Sequence, residues 1–274
     1  MKLFVLLASA ICFTMTSIAQ DDTTGGRVDT IKIGGMIIIK KDGKDGKNRN
    51  VTFSNRRRNK SGNITTNWWI VDLGFANYTD KTNYAAAQQS GFVTPALGSK
   101  DNLKLRTGKS VNVNIWAFMQ KLNVIKHVVN LKYGLGVELN NYRFDNEQVR
   151  FSKNPTTISL DPTLANVGKN KLAADYVTVP AMVNFNFTPG RNRGFGFSAG
   201  ASVGYLYSAR QKIKDDGNKT KLHDDFNLEK WKVSYIAELS LGPVRLYGSL
   251  ATKSMWEKSL DQTPYNVGIR LSNF

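Results

Sequence analysis

The chain is poor in side chains that perform covalent or metal chemistry, with one cysteine and two histidines among 274 residues. The cysteine, Cys12, lies inside a predicted secretory signal over residues 1–19, where Lys2 precedes an apolar stretch and Ser17-Ile18-Ala19 forms a small-x-small cleavage site. Cleavage after Ala19 would leave a mature chain without cysteine. That absence excludes disulfides, zinc sites with thiolate ligands and thiol nucleophiles.

Beyond the signal, the sequence also lacks a long hydrophobic run, so no helical membrane span is predicted. Acidic residues are scarce: 21 aspartates and glutamates face 38 lysines and arginines, giving a formal net charge of +17. In a secreted protein this excess favours outer-membrane lipid and lipopolysaccharide phosphates as partners, and the compartment excludes nucleic acid. The alternative is a solvated basic surface that only keeps the chain soluble in transit.

Alternation of apolar and polar residues marks eight segments between residues 68 and 274. In the third segment, Val137 and Leu139 alternate with Glu138 and Asn140, a pattern typical of a strand whose two faces meet different environments. The eight predicted strands cover residues 68–75, 111–119, 129–142, 177–187, 195–205, 231–241, 244–251 and 265–274.

The connectors between these strands alternate in length. Residues 123–127, 188–193 and 242–243 are short, residues 76–110, 143–175 and 208–230 are long and polar, and residues 252–264 are intermediate. Membrane barrels have tight turns on one side and long loops on the other. The sequence therefore predicts an all-β fold, an eight-stranded antiparallel transmembrane up-and-down β-barrel over residues 68–274. Its termini would be periplasmic and its long loops extracellular.

The fifth segment favours a membrane barrel over a soluble secreted ligand-binding barrel, which would show the same alternation. A row from Phe195 to Tyr205 alternates with glycines and serines, and glycine weakens a strand unless close packing needs it. Inside a narrow barrel, small residues would make room for Tyr176, Met182 and Tyr247. Aromatic residues at the strand ends predict two girdles: Trp69, Phe187, Phe195 and Phe274 at one rim, and Phe75, Tyr142, Tyr205, Tyr207 and Trp231 at the other.

Strand parity also directs charged residues into the predicted lumen. Charges in a narrow interior are costly unless they are paired, so we expect a salt-bridged plug and not an open pore. If the last strand closes against the first, Asp72 lies opposite Arg270. The predicted lumen network consists of Asp72, Lys132, Glu138, Lys232, Glu238, Arg245 and Arg270.

Residues 20–67 differ in character from the barrel segments. Short apolar stretches around Gly34-Gly35 are followed by the charged run 40–47 and by the basic cluster 56–60. The segment is predicted to be a periplasmic extension, either a small hairpin or a disordered tether. As a docking element it would bind a periplasmic protein or the cell wall; as a tether it would only be a spacer.

The sequence contains no convincing catalytic set. His127 falls in a predicted inner turn, and His223 lies in an outer loop beside Asp224 and Asp225. An acid and histidine cluster could activate water, which leaves a barrel hydrolase as an alternative. Because there is no positioned serine and no metal-ligand spacing, the sequence predicts a non-enzymatic protein without cofactor or metal.

Four stretches carry a resemblance to a known family. Residues 68–78 (WWIVDLGFANY), 129–144 (VNLKYGLGVELNNYRF), 176–187 (YVTVPAMVNFNF) and 265–274 (YNVGIRLSNF) resemble the PorT-like outer-membrane β-barrel domain family. The resemblance implies a small eight-stranded barrel of the porin family in a Gram-negative envelope, without a catalytic set. The last strand also resembles the signal read by the barrel-assembly machinery, with Tyr265, Gly268 and Phe274.

The predicted function is therefore that of an integral outer-membrane barrel with a structural or partner-binding role. Some relatives in the resembling family assist secretion, so a role in secretion or envelope organisation is an expectation. A narrow porin or channel is the first alternative, and eight strands leave it little free lumen. The barrel hydrolase and the soluble ligand-binding barrel remain further alternatives.

Overall fold

The computed structural model describes residues 28–33, 36–42, 49–55, 62–189 and 194–271. The chain divides into two compact units between Lys60 and Ser61. In the first unit, β1 (Val28–Ile33), β2 (Met36–Asp42) and β3 (Arg49–Asn55) form an antiparallel sheet in sequence order. Residues 20–67 were predicted to form either a small hairpin or a disordered tether, and the structure has strands over part of this segment. The predicted signal at residues 1–19 lies outside the described residues.

The second unit contains a closed ring of eight antiparallel strands. Each strand pairs with the next around the ring, and the last pairs with the first. The prediction of an all-β chain with eight antiparallel strands is confirmed. The ring strands are β4 (Ile64–Asp80), β5 (Val111–Ile125), β6 (Val129–Arg143), β9 (Lys169–Asn186), β10 (Phe195–Asp215), β12 (Trp231–Leu241), β13 (Val244–Ala251) and β14 (Gln262–Leu271).

The first ring strand starts earlier than predicted, at Ile64 and not at residue 68. Ile64 to Asn67 pair with Leu122 to Met119 of β5, so backbone hydrogen bonding extends the strand through threonines and an asparagine that carry no apolar alternation. The long connectors hold the remaining elements: α1 (Tyr84–Gln89), β7 (Val149–Phe151), β8 (Ile158–Leu160), β11 (Asn218–His223), and the 3-10 helices Pro95–Leu97, Lys100–Leu103, Thr107–Lys109 and Pro162–Leu164.

The two faces of the ring wall differ in polarity, as strand parity requires. On β10, Phe197, Val203 and Tyr205 are exposed, whereas Ser198 and Ser202 are buried. The Phe195–Tyr205 row therefore points away from the interior. Glycines on the inner face allow close packing: a Cβ at Gly200 would lie 2.6 Å from Met182 Cα, and one at Gly204 would lie 3.3 Å from Tyr176 Cβ.

Exposed apolar side chains occur on the outer face of all eight ring strands, and we call this set the apolar band. It consists of Leu73 and Phe75 on β4, Val111 on β5, Leu131 and Leu135 on β6, Val179 and Val183 on β9, Phe197 and Val203 on β10, Val233 and Leu239 on β12, Leu246 and Leu250 on β13, and Val267 and Ile269 on β14.

A backbone irregularity near the start of β4 changes the direction of one tryptophan. Trp69 has a φ of 56°, and the pairing of β4 with β5 skips both Trp69 and Ala117. Ala117 is also an extra residue relative to β6, which makes a β-bulge. Strict alternation would point Trp68 inward, yet Trp68 and Trp69 are 66% and 74% exposed. Both rings therefore reach the outer surface at the end of the ring that carries the short turns.

The long connectors were predicted to be polar loops, and this prediction is wrong in part. They pack together over one end of the ring as a hydrophobic cap, whose buried side chains include Phe92, Leu97, Leu103, Phe151, Ile158, Phe226, Leu228 and Trp256. Tyr142, predicted to lie in the outer girdle, is 1% exposed and belongs to the same cluster. Its parity on β6 is that of the inward residues Glu138 and Asn140, which places its ring beneath the cap.

Candidate functional site

The seven charged residues predicted to face inward are all buried inside the ring, with at most 8% exposure. Asp72 and Arg270 lie directly opposite each other where β4 pairs with β14. Arg270 Nε donates to Asp72 Oδ1 at 2.6 Å and Nη2 donates to Oδ2 at 2.7 Å. This bidentate geometry is the strong form of the arginine–carboxylate pair.

Asp72 receives two further hydrogen bonds from β5. Trp116 Nε1 donates to Oδ2 at 2.8 Å and Asn114 Nδ2 donates to the same oxygen at 3.1 Å. The Arg270 guanidinium also lies 5.5 Å from the centre of the Trp116 ring, within the range of a cation–π contact. Trp116 was not among the predicted interior residues, although its parity with Asn112 and Asn114 was available as a signal.

Two glutamates connect the rest of the interior. Glu238 pairs with Lys132 and with Arg270, and Glu138 pairs with Lys232. Glu138 Oε1 also accepts from Asn266 Nδ2 and Asn140 Nδ2, both at 3.1 Å. Arg245 is buried on β13, opposite Ser240 of β12. These contacts join side chains from β4, β6, β12 and β14, so they tie opposite sides of the ring together.

The interior leaves little free space around these charges. A cavity lined by Trp116, Met182, Glu238 and Arg270 has a volume of about 30 Å³, which is room for roughly one water molecule. Towards the cap, Tyr247 donates its hydroxyl hydrogen bond to Asn112. A Cβ on Gly74 would collide with that hydroxyl, so Gly74 on β4 makes the room for Tyr247 that was predicted to come from β10.

Aromatic rings and one polar anchor hold the cap together. The ring of Phe151 lies 5.2 Å from that of Phe226 and 6.1 Å from that of Trp256, centroid to centroid. Beneath it, Gln211 of β10 accepts from the Phe151 amide at 3.0 Å and donates to the Val149 carbonyl at 2.8 Å. The buried amide side chain of Gln211 thus pairs with backbone hydrogen-bonding groups of the short strand β7, and it fixes the cap to a ring strand.

A tyrosine at the edge of the cap binds a carboxylate. Tyr84 of α1 donates its hydroxyl hydrogen bond to Asp80 Oδ2 at 2.7 Å. Burial, together with this bond, raises the pKa of Tyr84 well above its ordinary value. Tyr84 therefore stays protonated at neutral pH and serves as a hydrogen-bond donor between the connector and β4.

His127 lies in a turn as predicted, whereas His223, predicted in a loop, lies in a short strand of the connector. His223 is exposed at the end of β11, paired in register with Arg210, and His127 occupies the turn between β5 and β6 with a φ of 59°. Across the part of the chain that the structure describes, no three histidine, cysteine, aspartate or glutamate side chains are grouped so as to hold a metal ion.

The predicted assembly signal is only partly within the described residues. Tyr265 is 37% exposed on the outer face of β14. Gly268 lies opposite Gly74 at the seam that closes the ring, where a Cβ on Gly74 would lie 2.9 Å from Gly268 Cα. Phe274 lies outside the described residues.

These observations define an all-β protein whose closed ring of strands has an apolar outer band and a charged interior. Residues 69–251, more than half of the chain, match the family described as outer membrane protein beta-barrel domain. The chain belongs to this family, and the membership indicates an outer-membrane location. The match ends at the last residue of β13, although β14 completes the ring.

No curated protein matches the chain. Among the described residues, no helix has the length and apolar character needed to span a bilayer.

Proposed function

We propose that this protein is an integral, non-enzymatic outer-membrane barrel with a closed lumen and a structural or partner-binding role. The observation that carries the proposal is the apolar band on all eight ring strands, combined with buried ionisable side chains inside. Exposed apolar surface of this extent is rare in soluble monomers. Hydrocarbon around the ring would solvate the band, while the interior ion pairs would remain shielded.

The distribution of aromatic residues supports an orientation. Trp68, Trp69, Phe187 and Phe195 are exposed at the end with the short turns, and Tyr205, Tyr207 and Trp231 are exposed near the capped end. Such rings favour the headgroup level of a bilayer. We place the short turns in the periplasm, as in other membrane barrels, and the cap outside the cell.

The interior supports a closed barrel over the narrow channel that was the first alternative. Ion pairs cross the ring, the cavity beside Glu238 and Arg270 holds roughly one water molecule, and the cap covers one mouth. The resemblance to the PorT-like family supports a role in secretion or envelope organisation. In that role the partners would be the barrel-assembly machinery during insertion and, through residues 20–67, a periplasmic protein or the cell wall.

Fractionation of a Gram-negative host that expresses the full chain tests the membrane assignment. We expect the protein to stay in the outer-membrane pellet after a high-salt wash and after alkaline carbonate. Unboiled samples should migrate differently on gels from boiled ones, because a closed ring resists unfolding by detergent. Release by salt or carbonate would contradict the proposal and favour a soluble secreted barrel.

A further inference from the structure

Cations are concentrated on one outward face of the wall, where β6, β9, β10 and β11 extend beyond the apolar band. Strand register aligns them in rows: Lys171 lies opposite Lys212, which lies opposite Lys221, and Lys169, Lys214 and Lys219 align in the same way. Arg143 lies opposite Lys171, and Arg210 precedes Lys212 on the same face. We call this set the basic face: Arg143, Lys169, Lys171, Arg210, Lys212, Lys214, Lys219 and Lys221.

The basic face points outward and not into the cap. The alternate residues of the same strands, Asn170, Leu172 and Gln211, are at most 2% exposed. Parity therefore places the lysines between them on the outer surface. Lys214, Lys219 and Lys221 are exposed, and Lys169, Lys171 and Lys212 are half-buried.

Among the described residues, a neighbouring carboxylate neutralises Arg210 but not the lysines of this face. Asp175 is engaged by Arg210, with 2.5 Å between Nη1 and Oδ2. None of the six lysines of the basic face forms an ion pair with a carboxylate of the described ranges. Like charges directly opposite each other destabilise a sheet. A row of three lysines is therefore a cost to the fold that a bound polyanion would remove.

The height of the basic face above the apolar band indicates which kind of polyanion would bind there. Tyr205 and Trp231 pair at the upper edge of the band, with ring centroids 4.9 Å apart. Tyr207 is exposed just above them, and Arg210 follows about 10 Å further along the strand at about 3.3 Å per residue. Tyrosine and tryptophan favour the headgroup level, so Arg210 lies just beyond that level on the side wall. Lys212 and Lys214 follow about 7 and 13 Å further along the strand, at about 3.3 Å per residue.

We infer that the basic face is a binding site for the phosphate groups of the glycolipids that form the outer leaflet, an inference that rests on the membrane barrel proposed above. Lysine ammonium groups in rows about 5 Å apart across the strands can each donate to a phosphate oxygen. Because several lysines share the site, one lipid with two phosphates, or two adjacent lipids, can be held against the wall. The site thus specifies the polar part of the lipid, while the apolar band contacts its chains.

Binding of purified diphosphoryl lipid A to the full chain in a neutral detergent tests this inference, with native mass spectrometry as the measurement. The variant Lys171→Gln/Lys212→Gln/Lys221→Gln removes the central row. Lys100→Gln/Lys109→Gln/Lys258→Gln removes the same charge from exposed cap positions outside the basic face. We expect the first variant to bind about tenfold more weakly, from three surface ion pairs, and the second to bind within about twofold of wild type.

Lipid A from which both phosphates have been removed provides the second arm, and it should bind wild type about as weakly as diphosphoryl lipid A binds the central-row variant. Equal binding of the two lipids, or equal weakening in both triple variants, would overturn the inference. Preferential capture of a soluble acidic peptide over diphosphoryl lipid A would overturn it in favour of a protein partner. Carbonate extraction of the same proteins separates the two proposals. If the protein stays in the membrane but binds both lipids equally, only the basic-face inference is overturned. If carbonate releases the protein, the membrane-barrel proposal is overturned.

Discussion

Asp72 accepts four hydrogen bonds in the interior, two from Arg270 and one each from Trp116 and Asn114. A buried carboxylate is tolerated only when its charge is compensated in this way. The same contacts define the register between the first and last ring strands, because the bidentate pair forms only when Asp72 and Arg270 lie opposite each other. One residue pair thus contributes to both charge balance and ring closure.

We expect Asp72→Ala to destabilise the ring by about 3–5 kcal/mol, because it leaves Arg270 buried without its bidentate partner. Urea unfolding of the purified chain in detergent, followed by tryptophan fluorescence, measures the change. The double variant Asp72→Leu/Arg270→Met should lose less unfolding free energy than Asp72→Ala, since it removes both charges. Asp101→Ala, at an exposed position, is the control. A loss below about 1 kcal/mol for Asp72→Ala would contradict a structural role for the pair.

The charge on Lys171 lowers the stability of the folded state, and the size of this effect depends on pH. Burial lowers its pKa to about 8, with Lys212, Lys169 and Arg210 adding repulsion and Asp175 opposing it. Arg143 faces it from β6. Because the folded state releases this proton at lower pH than the unfolded chain does, the unfolded state binds more protons above about pH 8. The contribution of Lys171 to stability therefore rises with pH between about 8 and the ordinary lysine value of 10.5.

Lys171→Met should therefore raise the thermal unfolding temperature at pH 7, and the gain should shrink by pH 9.5. The substitution keeps the apolar stem, so packing changes little, and it removes the charge together with the hydrogen bond that Lys171 donates to Asn141 Oδ1. Lys109→Met, at an exposed position outside the basic face, should show no such pH dependence. A gain that is the same at both pH values would show that charge repulsion is not its cause.

At the scale of single elements, the ring strands could be predicted from local sequence because the period of two fixes which face each side chain takes. Glu138 and Lys232 come from distant parts of the sequence, yet each points inward by its own alternation. The bulge at Ala117 could not be predicted this way. It lies beside a positive φ at Trp69, and tryptophan carries none of the turn signals that glycine or asparagine would.

The cap could not be predicted from sequence for a different reason. Its contacts join residues far apart in the chain, such as Phe92 with Trp256 and Phe151 with Phe226. The connectors that supply them contain short strands and single-turn helices, which have too few residues for a periodic pattern. The sequence signal for the cap was the presence of isolated aromatic residues in polar loops. These residues come together only when the ring closes and brings the connectors to one end.

Phe151→Ala should loosen the cap and leave the ring intact. Removing a fully buried phenylalanine costs about 3–5 kcal/mol. Phe151, on β7, contacts the rings of Phe144 in its own connector and of Phe226 and Trp256 in two others. Limited proteolysis from the outside of intact cells should cut the variant within the cap connectors at lower protease concentrations than wild type. The gel shift of unboiled samples should persist. Loss of that shift would show that the cap and the ring unfold as one unit.

At the scale of the whole molecule, two barriers lie in series along the ring axis. The cap closes one mouth with apolar side chains, and the ion-paired interior fills the section enclosed by the apolar band. For barriers in series, the tighter one limits any flow of ions. Opening either barrier alone therefore leaves the path closed.

This arrangement makes a prediction for planar-bilayer conductance. Wild type, Phe151→Ala and Lys132→Ala/Glu238→Ala should each give no steady current, because each retains at least one barrier. The interior double variant removes the Lys132–Glu238 ion pair and the contact of Glu238 with Arg270, without changing net charge. Combining all three substitutions should produce measurable openings, provided that the gel shift shows a closed ring. A steady current from Phe151→Ala alone would mean that the interior already conducts and that the cap is the gate of a channel.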